Sequence, residues 1–276
     1  MDYKLIVTDM DGTLLGSDHE VTEENKKALK EALDKGINVT VATGRMYSSA
    51  KSHISFLNSK VPIIACNGAL IKDSITNEVI YSNHISKDKS LKILHILEKY
   101  NVYYQYYSED LLMCKKIDKD NKNLDKVKKL ISNGVDLVFV PNLTEFIISK
   151  DILKVVVIED ENIHILDEIK KELRKIEGLE ITKSWFNNIE IMATGSDKGS
   201  AVKTLAKYLD IDRKNIIAFG DNYNDISMLE FAGMGVAMGN ADEFVKSKAD
   251  YITSINDEDG VAKALYDLTC LKALND

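Results

Sequence analysis

Apolar residues along this chain come in short unbroken runs, each stopped by an acid, an asparagine or a glycine. Leu5 to Thr8 reads as a strand that ends at Asp9, with Asp11 and Gly12 directly behind it. The segment 22-TEENKKALKEALDK-35 has helical spacing, with Thr22 placed as N-cap and Gly36 just past its end. A second run, 37-INVTVA-42, leads into Thr43, Gly44 and Arg45; a helix over Tyr47–Leu57 follows, and a third run, 61-VPIIAC-66, stops at Asn67-Gly68. These runs are continuous rather than alternating, as expected of parallel strands covered on both faces. The rhythm returns near the C-terminus: helix 198–209, strand 215–219 ending at Gly220-Asp221, helix 224–232, strand 234–238, a last strand at 251–253 and a helix over 259–273.

Between these halves the pattern changes. A helix over 87–100 precedes tyrosine-rich strands in 102-VYYQYYSEDLLMC-114, a lysine-rich helix at 123–133, an extended piece at Val138, a strand 153–159, a helix 162–176 and two strands at 179–184 and 188–193. Alternating strands beside helices predict an α+β module with a largely antiparallel sheet. The expected organisation is a doubly wound, Rossmann-like α/β core, residues 1–83 plus 189–276, with an α+β domain inserted at 84–188.

Composition narrows the function. The chain has 276 residues and a net charge of −8, which disfavours a non-specific hold on nucleic acid or an anionic membrane. Cys66, Cys114 and Cys270 have no paired spacing, so buried free thiols are expected, with neither a disulfide framework nor a zinc site. No apolar stretch approaches the ~20 residues of a membrane span. A cytoplasmic location with no obligatory protein partner follows as the expectation. Arginine is scarce, confined to Arg45, Arg174 and Arg213, so Arg45 at a strand end asks for an explanation.

In a doubly wound sheet, ligands bind beyond the carboxyl ends of the strands. There lie Asp9 and Asp11, Thr43-Gly44-Arg45, Asn67-Gly68, Gly220-Asp221-Asn222 and Asn224-Asp225. Two charges about 4 Å apart repel by about 4 kcal/mol at an effective dielectric of about 20, so a cluster of Asp9, Asp11, Asp221 and Asp225 needs cations. Oxygen donors with room for water suit Mg²⁺. His19, His53, His84, His95 and His164 are scattered without a ligand motif and read as ordinary surface or core residues. A carboxylate beside a metal can attack phosphorus, and a second can protonate the leaving oxygen and later activate water. Asp9 and Asp11 supply that pair. Gly12 lets the backbone turn, the adjacent amides, including that of Met10, can cradle phosphate oxygens, and Thr43 and Lys198 are candidate phosphate holders, the former by hydroxyl and amide. Ser196 and Asp197 are suited to cap the helix that presents Lys198. Taken singly, each motif also reads as a plain turn or an exposed helical lysine; together and in order, at the strand ends of one core, they do not.

These elements resemble the signature of the haloacid dehalogenase-like phosphohydrolases: 9-DMDGT-13, Thr43, Lys198 and 220-GDNYND-225. An insertion between the Thr43 and Lys198 motifs is similar to the Cof-type subfamily with its type IIB cap. The resemblance implies Asp9 as nucleophile and Asp11 as general acid/base. It implies Mg²⁺ held by the Asp9 side chain, the Asp11 backbone carbonyl and Asp221 with Asp225 in support, and a phosphoryl group held by Thr43 and Lys198. Asn224 would lie beside the metal motif, and Gly44, Arg45 and Asn67 near the substrate's entry. It further implies small phosphorylated metabolites as substrates, such as sugar phosphates or phosphorylated cofactors. Tyr103, Tyr104, Tyr106, Tyr107, Trp185 and Phe186 of the inserted domain are candidates to stack on a substrate ring or to pack within its sheet. A phosphomutase, revealed by dependence on a bisphosphate, and a non-catalytic sugar-phosphate sensor are the competing readings.

Overall fold

The computed structural model describes residues 2–115, 137–140, 142–184 and 186–269. The lysine-rich helix expected at 123–133, Trp185, Cys270 and the end of the last expected helix lie outside the described residues. The elements in chain order are β1 (Leu5–Thr8), α1 (Glu23–Asp34), β2 (Asn38–Val41), α2 (Tyr47–His53), β3 (Ile63–Ala65), β4 (Leu70–Lys72) and β5 (Val79–Ser82). There follow α3 (Lys87–Leu97), β6 (Tyr103–Tyr107), β7 (Leu112–Lys115), β8 (Leu137–Val140), α4 (Leu143–Ser149), β9 (Lys154–Ile158), α5 (His164–Leu173), β10 (Leu179–Thr182) and β11 (Asn188–Ala193). The chain continues with α6 (Lys198–Tyr208), β12 (Ile216–Gly220), α7 (Ile226–Phe231), β13 (Met234–Ala237), α8 (Glu243–Lys246), β14 (Tyr251–Ile252) and α9 (Gly260–Leu268). None of these helices is long and apolar enough to cross a membrane.

The chain divides into two compact units, Met1–Tyr81 with Asp197–Asp276, and Ser82–Ser196. The first holds a parallel sheet in the order β14-β13-β12-β1-β2. Leu5, Ile6 and Val7 are fully buried, so β1 is covered on both faces and its unbroken apolar run is explained. Leu5 and Val7 pack with Ala201, Val202 and Leu205 of α6 and with Met228 and Leu229 of α7. Helix α1 starts as expected, its Thr22 hydroxyl accepting from the Asn25 amide, and Gly36 takes φ +79° just beyond its end. The third run joins the parallel sheet only through a bridge between Ala42 and Ile64, and otherwise pairs antiparallel with β4 in a separate sheet β3-β4-β5. The link from β4 to β5 turns at Asp73, whose carboxylate accepts from the Ile75 and Thr76 amides, a short-range polar device that hydrophobic spacing does not announce.

The second unit holds a sheet ordered β10-β11-β9-β6-β7-β8, antiparallel except for the β7–β8 pair. Strand alternation sorts its tyrosines. Tyr104 and Tyr106 enter the core with Ile93, Leu97, Leu166 and Ile169 of α3 and α5, while Tyr103, Gln105 and Tyr107 share the other face and bond to one another. The expected boundary at 188/189 moves to 196/197, because β11 pairs with both β9 and β10 and buries Ile189 and Ile191 in this unit's core. Cys66 and Cys114 are buried free thiols.

Candidate active site

β1 and β12 are neighbours from which the chain winds outward in opposite directions, so the crevice at their carboxyl ends is the switch point of the sheet. Asp9 ends β1, its amide donating to the Phe219 carbonyl at 2.9 Å. The chain then folds back on itself, with the Thr13 and Leu15 amides donating to the Met10 carbonyl at 3.3 and 2.8 Å. Gly12 takes φ +80° in this turn, and a Cβ there would sit 2.5 Å from Asp221 Oδ2. Met10 is fully buried, and its carbonyl is taken up by this turn.

Across the crevice, β12 stops at Gly220. The Asp221 carboxylate accepts from the Thr13 hydroxyl at 2.7 Å. One Asp225 oxygen accepts from the Asp221 and Asn222 amides at 3.0 and 2.9 Å, and the other from Lys198 Nζ at 2.5 Å. Lys198 opens α6 behind its N-cap Asp197, which accepts from the Ser200 amide at 2.9 Å, whereas the Ser196 hydroxyl accepts from Asn83. The fully buried Lys198 ammonium also donates to Asp9 Oδ1 at 2.6 Å. Asp9, Asp221 and Asp225 thus present oxygens within 4.8 Å of one another.

Charge in this cluster does not balance. Burial, and then Asp225, push Asp9 well above the usual carboxylate range against the pull of Lys198. The same two causes push Asp221 up to about 7. Burial works against the Lys198 charge, but Asp225 and Asp9 outweigh it and hold the ammonium firmly protonated. A donor set of oxygens alone, short of positive charge, fits a hard divalent cation.

Asp11 stands apart from this cluster. Its carboxylate is gripped on both oxygens by Arg45, Nε to Oδ2 at 2.8 Å and Nη2 to Oδ1 at 2.5 Å. Loss of water around Asp11 raises its pKa, but the bonds and charge of Arg45 reverse this and leave it below the usual range. Thr43 is only partly as the sequence suggested. Its amide is taken by the Ile64 carbonyl at 3.0 Å, and its hydroxyl accepts from the Arg45 amide at 3.1 Å, which leaves the hydroxyl proton to donate. Cys66, Asn67 and Gly68 all take positive φ, at 51°, 55° and 93°, in a turn tied down by bonds from the Cys66 and Asn67 amides to the Arg45 and Thr43 carbonyls. Asn67 Oδ1 accepts from Asn224 at 3.1 Å, and a Cβ on Gly44 would approach the same oxygen to 3.0 Å.

Four supporting residues escaped the sequence reading. Thr13 bonds Asp221, Asn240 bonds the Gly12 carbonyl at 2.8 Å, Asn256 bonds the Leu15 carbonyl at 2.9 Å, and His53 meets Arg45. Thr13 lay inside the quoted motif; the two asparagines sit in loops that only the fold brings to the turn after β1.

The sequence profile of the haloacid dehalogenase-like hydrolases matches residues 6–265. The chain belongs to that family. The phosphohydrolase is 36% identical over 270 residues to a 5-amino-6-(5-phospho-D-ribitylamino)uracil phosphatase of Bacillus subtilis, covering 96% of this chain and 95% of that one. It is 28% identical to a pyridoxal phosphate phosphatase of Escherichia coli, over 96% and 98% of the two chains. Among solved structures, a subclass IIB sugar phosphatase of the superfamily superposes with a TM-score of 0.81 at 28% identity, over 96% of this chain and 98% of that one. The Cof-type, IIB resemblance drawn from the motifs stands, and the chain is a phosphohydrolase of that family.

Proposed function

We propose that this phosphohydrolase is a Mg²⁺-dependent phosphomonoesterase that works through an aspartyl-phosphate on Asp9. The observation that carries this reading is the buried, under-neutralised carboxylate cluster at the switch point, with Lys198 bonded to two of its members. Asp9, the Asp11 backbone carbonyl and Asp221 would hold the cation. Asp225, with both oxygens already engaged, would support the loop that carries Asp221. Once bound, Mg²⁺ would neutralise the carboxylates and draw charge from the phosphoryl oxygens.

In the first step an Asp9 carboxylate oxygen attacks phosphorus, the bond from phosphorus to the ester oxygen breaks, and that oxygen takes a proton from Asp11, which has to be protonated against the hold of Arg45 to act as the acid. In the second, Asp11 takes a proton from water, the water oxygen attacks phosphorus, and Asp9 leaves as inorganic phosphate is released. Lys198, the Thr43 hydroxyl, Asn224 and the backbone at Met10, Gly12 and Gly44 would hold the phosphoryl oxygens, with Arg45 and Asn67 at the rim. The relatives' names favour small esters whose leaving group is a polyol, a sugar or a heteroaromatic alcohol. Acidic net charge and buried free thiols support a cytoplasmic enzyme with no nucleic-acid partner.

The test is phosphate release from a panel of sugar phosphates and phosphorylated cofactors, with Mg²⁺ and with excess chelator, using Asp9→Asn as the blank. Release that requires both Mg²⁺ and Asp9 is expected; release that persists in the variant or in chelator overturns the mechanism.

A further inference from the structure

The turn after β3 touches three loops that would hold the phosphoryl group. Its Asn67 amide donates to the Thr43 carbonyl and its Cys66 amide to the Arg45 carbonyl, both at 2.9 Å. A Cβ on Gly68 would collide with the Asp197 carbonyl, so the turn packs closely against the start of α6, where Lys198 stands. The third loop is reached by a side chain: Asn224 Nδ2 donates to Asn67 Oδ1 at 3.1 Å. Asn67 stands at the rim of the proposed pocket, yet it is only 1% exposed, and its φ of +55° follows directly on +51° at Cys66. Two successive non-glycine residues in the left-handed region persist only where their surroundings hold them, and asparagine is among the few that tolerate it.

Asn224 carries two Nδ2 protons. The bond to Asn67 takes one and fixes the plane of the amide, which leaves the other to donate to an anion. We propose that Asn67 is a positioning residue for the phosphoryl pocket, acting through Asn224; this rests on the phosphate-holding role proposed for Asn224. Without Asn67 Oδ1 the Asn224 amide is free to rotate, and half a turn presents its carbonyl oxygen, an acceptor, to the phosphoryl oxygens.

The experiment measures binding without turnover: calorimetric titration of inorganic phosphate into the Mg²⁺-saturated protein, and of Mg²⁺ alone into the metal-free protein. Asn224→Ala is expected to weaken phosphate about tenfold, the factor for one hydrogen bond to an anion. Asn67→Gly removes the side chain at a φ that glycine accepts, and is expected to weaken phosphate by about three- to tenfold with Mg²⁺ affinity held within about twofold. Asn67→Ser, whose hydroxyl is too short to reach Asn224, takes over with the same expected loss if the glycine variant does not fold. In an Asn224→Ala background, Asn67→Gly should add less than about twofold, because one bond joins the two residues. Mg²⁺ and phosphate affinities that fall together, or additive losses in the double variant, mark a general structural role and overturn the proposal. Unchanged phosphate affinity in Asn67→Gly beside a loss in Asn224→Ala also overturns it, and leaves the role of Asn224 standing. If Asn224→Ala binds phosphate as the wild type does, or the wild type does not bind it, the phosphate-holding role itself fails and the proposal with it.

Discussion

Each unit of the molecule buries a lysine against carboxylate, and the two sites are built differently. In the second unit, Lys154 Nζ lies 3.4 Å from Glu190 Oε1 and 4.7 Å above the Tyr107 ring, on the face of the sheet that carries Gln105. There the lysine meets a carboxylate, and a ring face supplies further negative potential. In the first unit, Lys198 meets Asp9 and Asp225 at 2.6 and 2.5 Å while Asp221 stands close by with no salt bridge among the described residues. A buried ion pair alone is poor grounds for assigning function, since such pairs also arise in packing. The excess of negative charge distinguishes the first site: it keeps Asp9 and Asp221 proton-hungry and leaves the cluster incomplete without a further cation.

The sharpest way to break this contrast is Asp9→Asn, expected to lower phosphate release by about 10⁴-fold without loss of fold, because it reduces the excess negative charge of the cluster. Steady-state assay together with a thermal melt checks both halves of that statement. Lys198→Met should cost about 10²- to 10³-fold in kcat by removing the ammonium that faces the phosphoryl oxygens. Lys154→Met should instead act mainly on stability, by about 3 kcal/mol, because it takes the lysine charge away from the buried Glu190 carboxylate; a denaturant titration reads it, and Lys154→Met with Glu190→Leu should recover most of the loss.

The smallest effect is a pH dependence of the chelated protein. Asp9 and Asp221 have folded pKa values raised above their unfolded ones, so the native state binds more protons than the unfolded state in the window between. Stability of the metal-free protein should therefore fall as pH rises from about 4 toward 7, and Mg²⁺ should flatten that slope. A chelated protein whose melting temperature climbs across the same window would mean that the carboxylates are not the unbalanced group described above.

Much of the first unit was legible in its linear pattern. β1, β2 and β12 are unbroken apolar runs because both faces are covered, and α1 announced itself through Thr22 and Gly36. Short elements were not legible. β4 and β5, α4 and α8 span three to seven residues each, too few for a period to rise above chance, and α4 and α8 depend on the local caps Asn142 and Asp242. The aromatic run of β6 was ambiguous until pairing assigned Tyr104 and Tyr106 to the helix-covered side.

What the sequence determined by itself was the chemistry available at each strand end: carboxylates after β1 and β12, a threonine and an arginine after β2, a lysine opening α6. These signals are local, since a strand's termination and a helix's first turn depend on residues within a few positions. What only the tertiary structure decided was who meets whom. Lys198 reaches Asp9 across 189 residues, Thr13 reaches Asp221 across 208, and Arg45 grips both oxygens of Asp11 across 34. Such contacts depend on strand order, register and the direction of each side chain, quantities set by packing of the whole unit rather than by any neighbourhood of the chain.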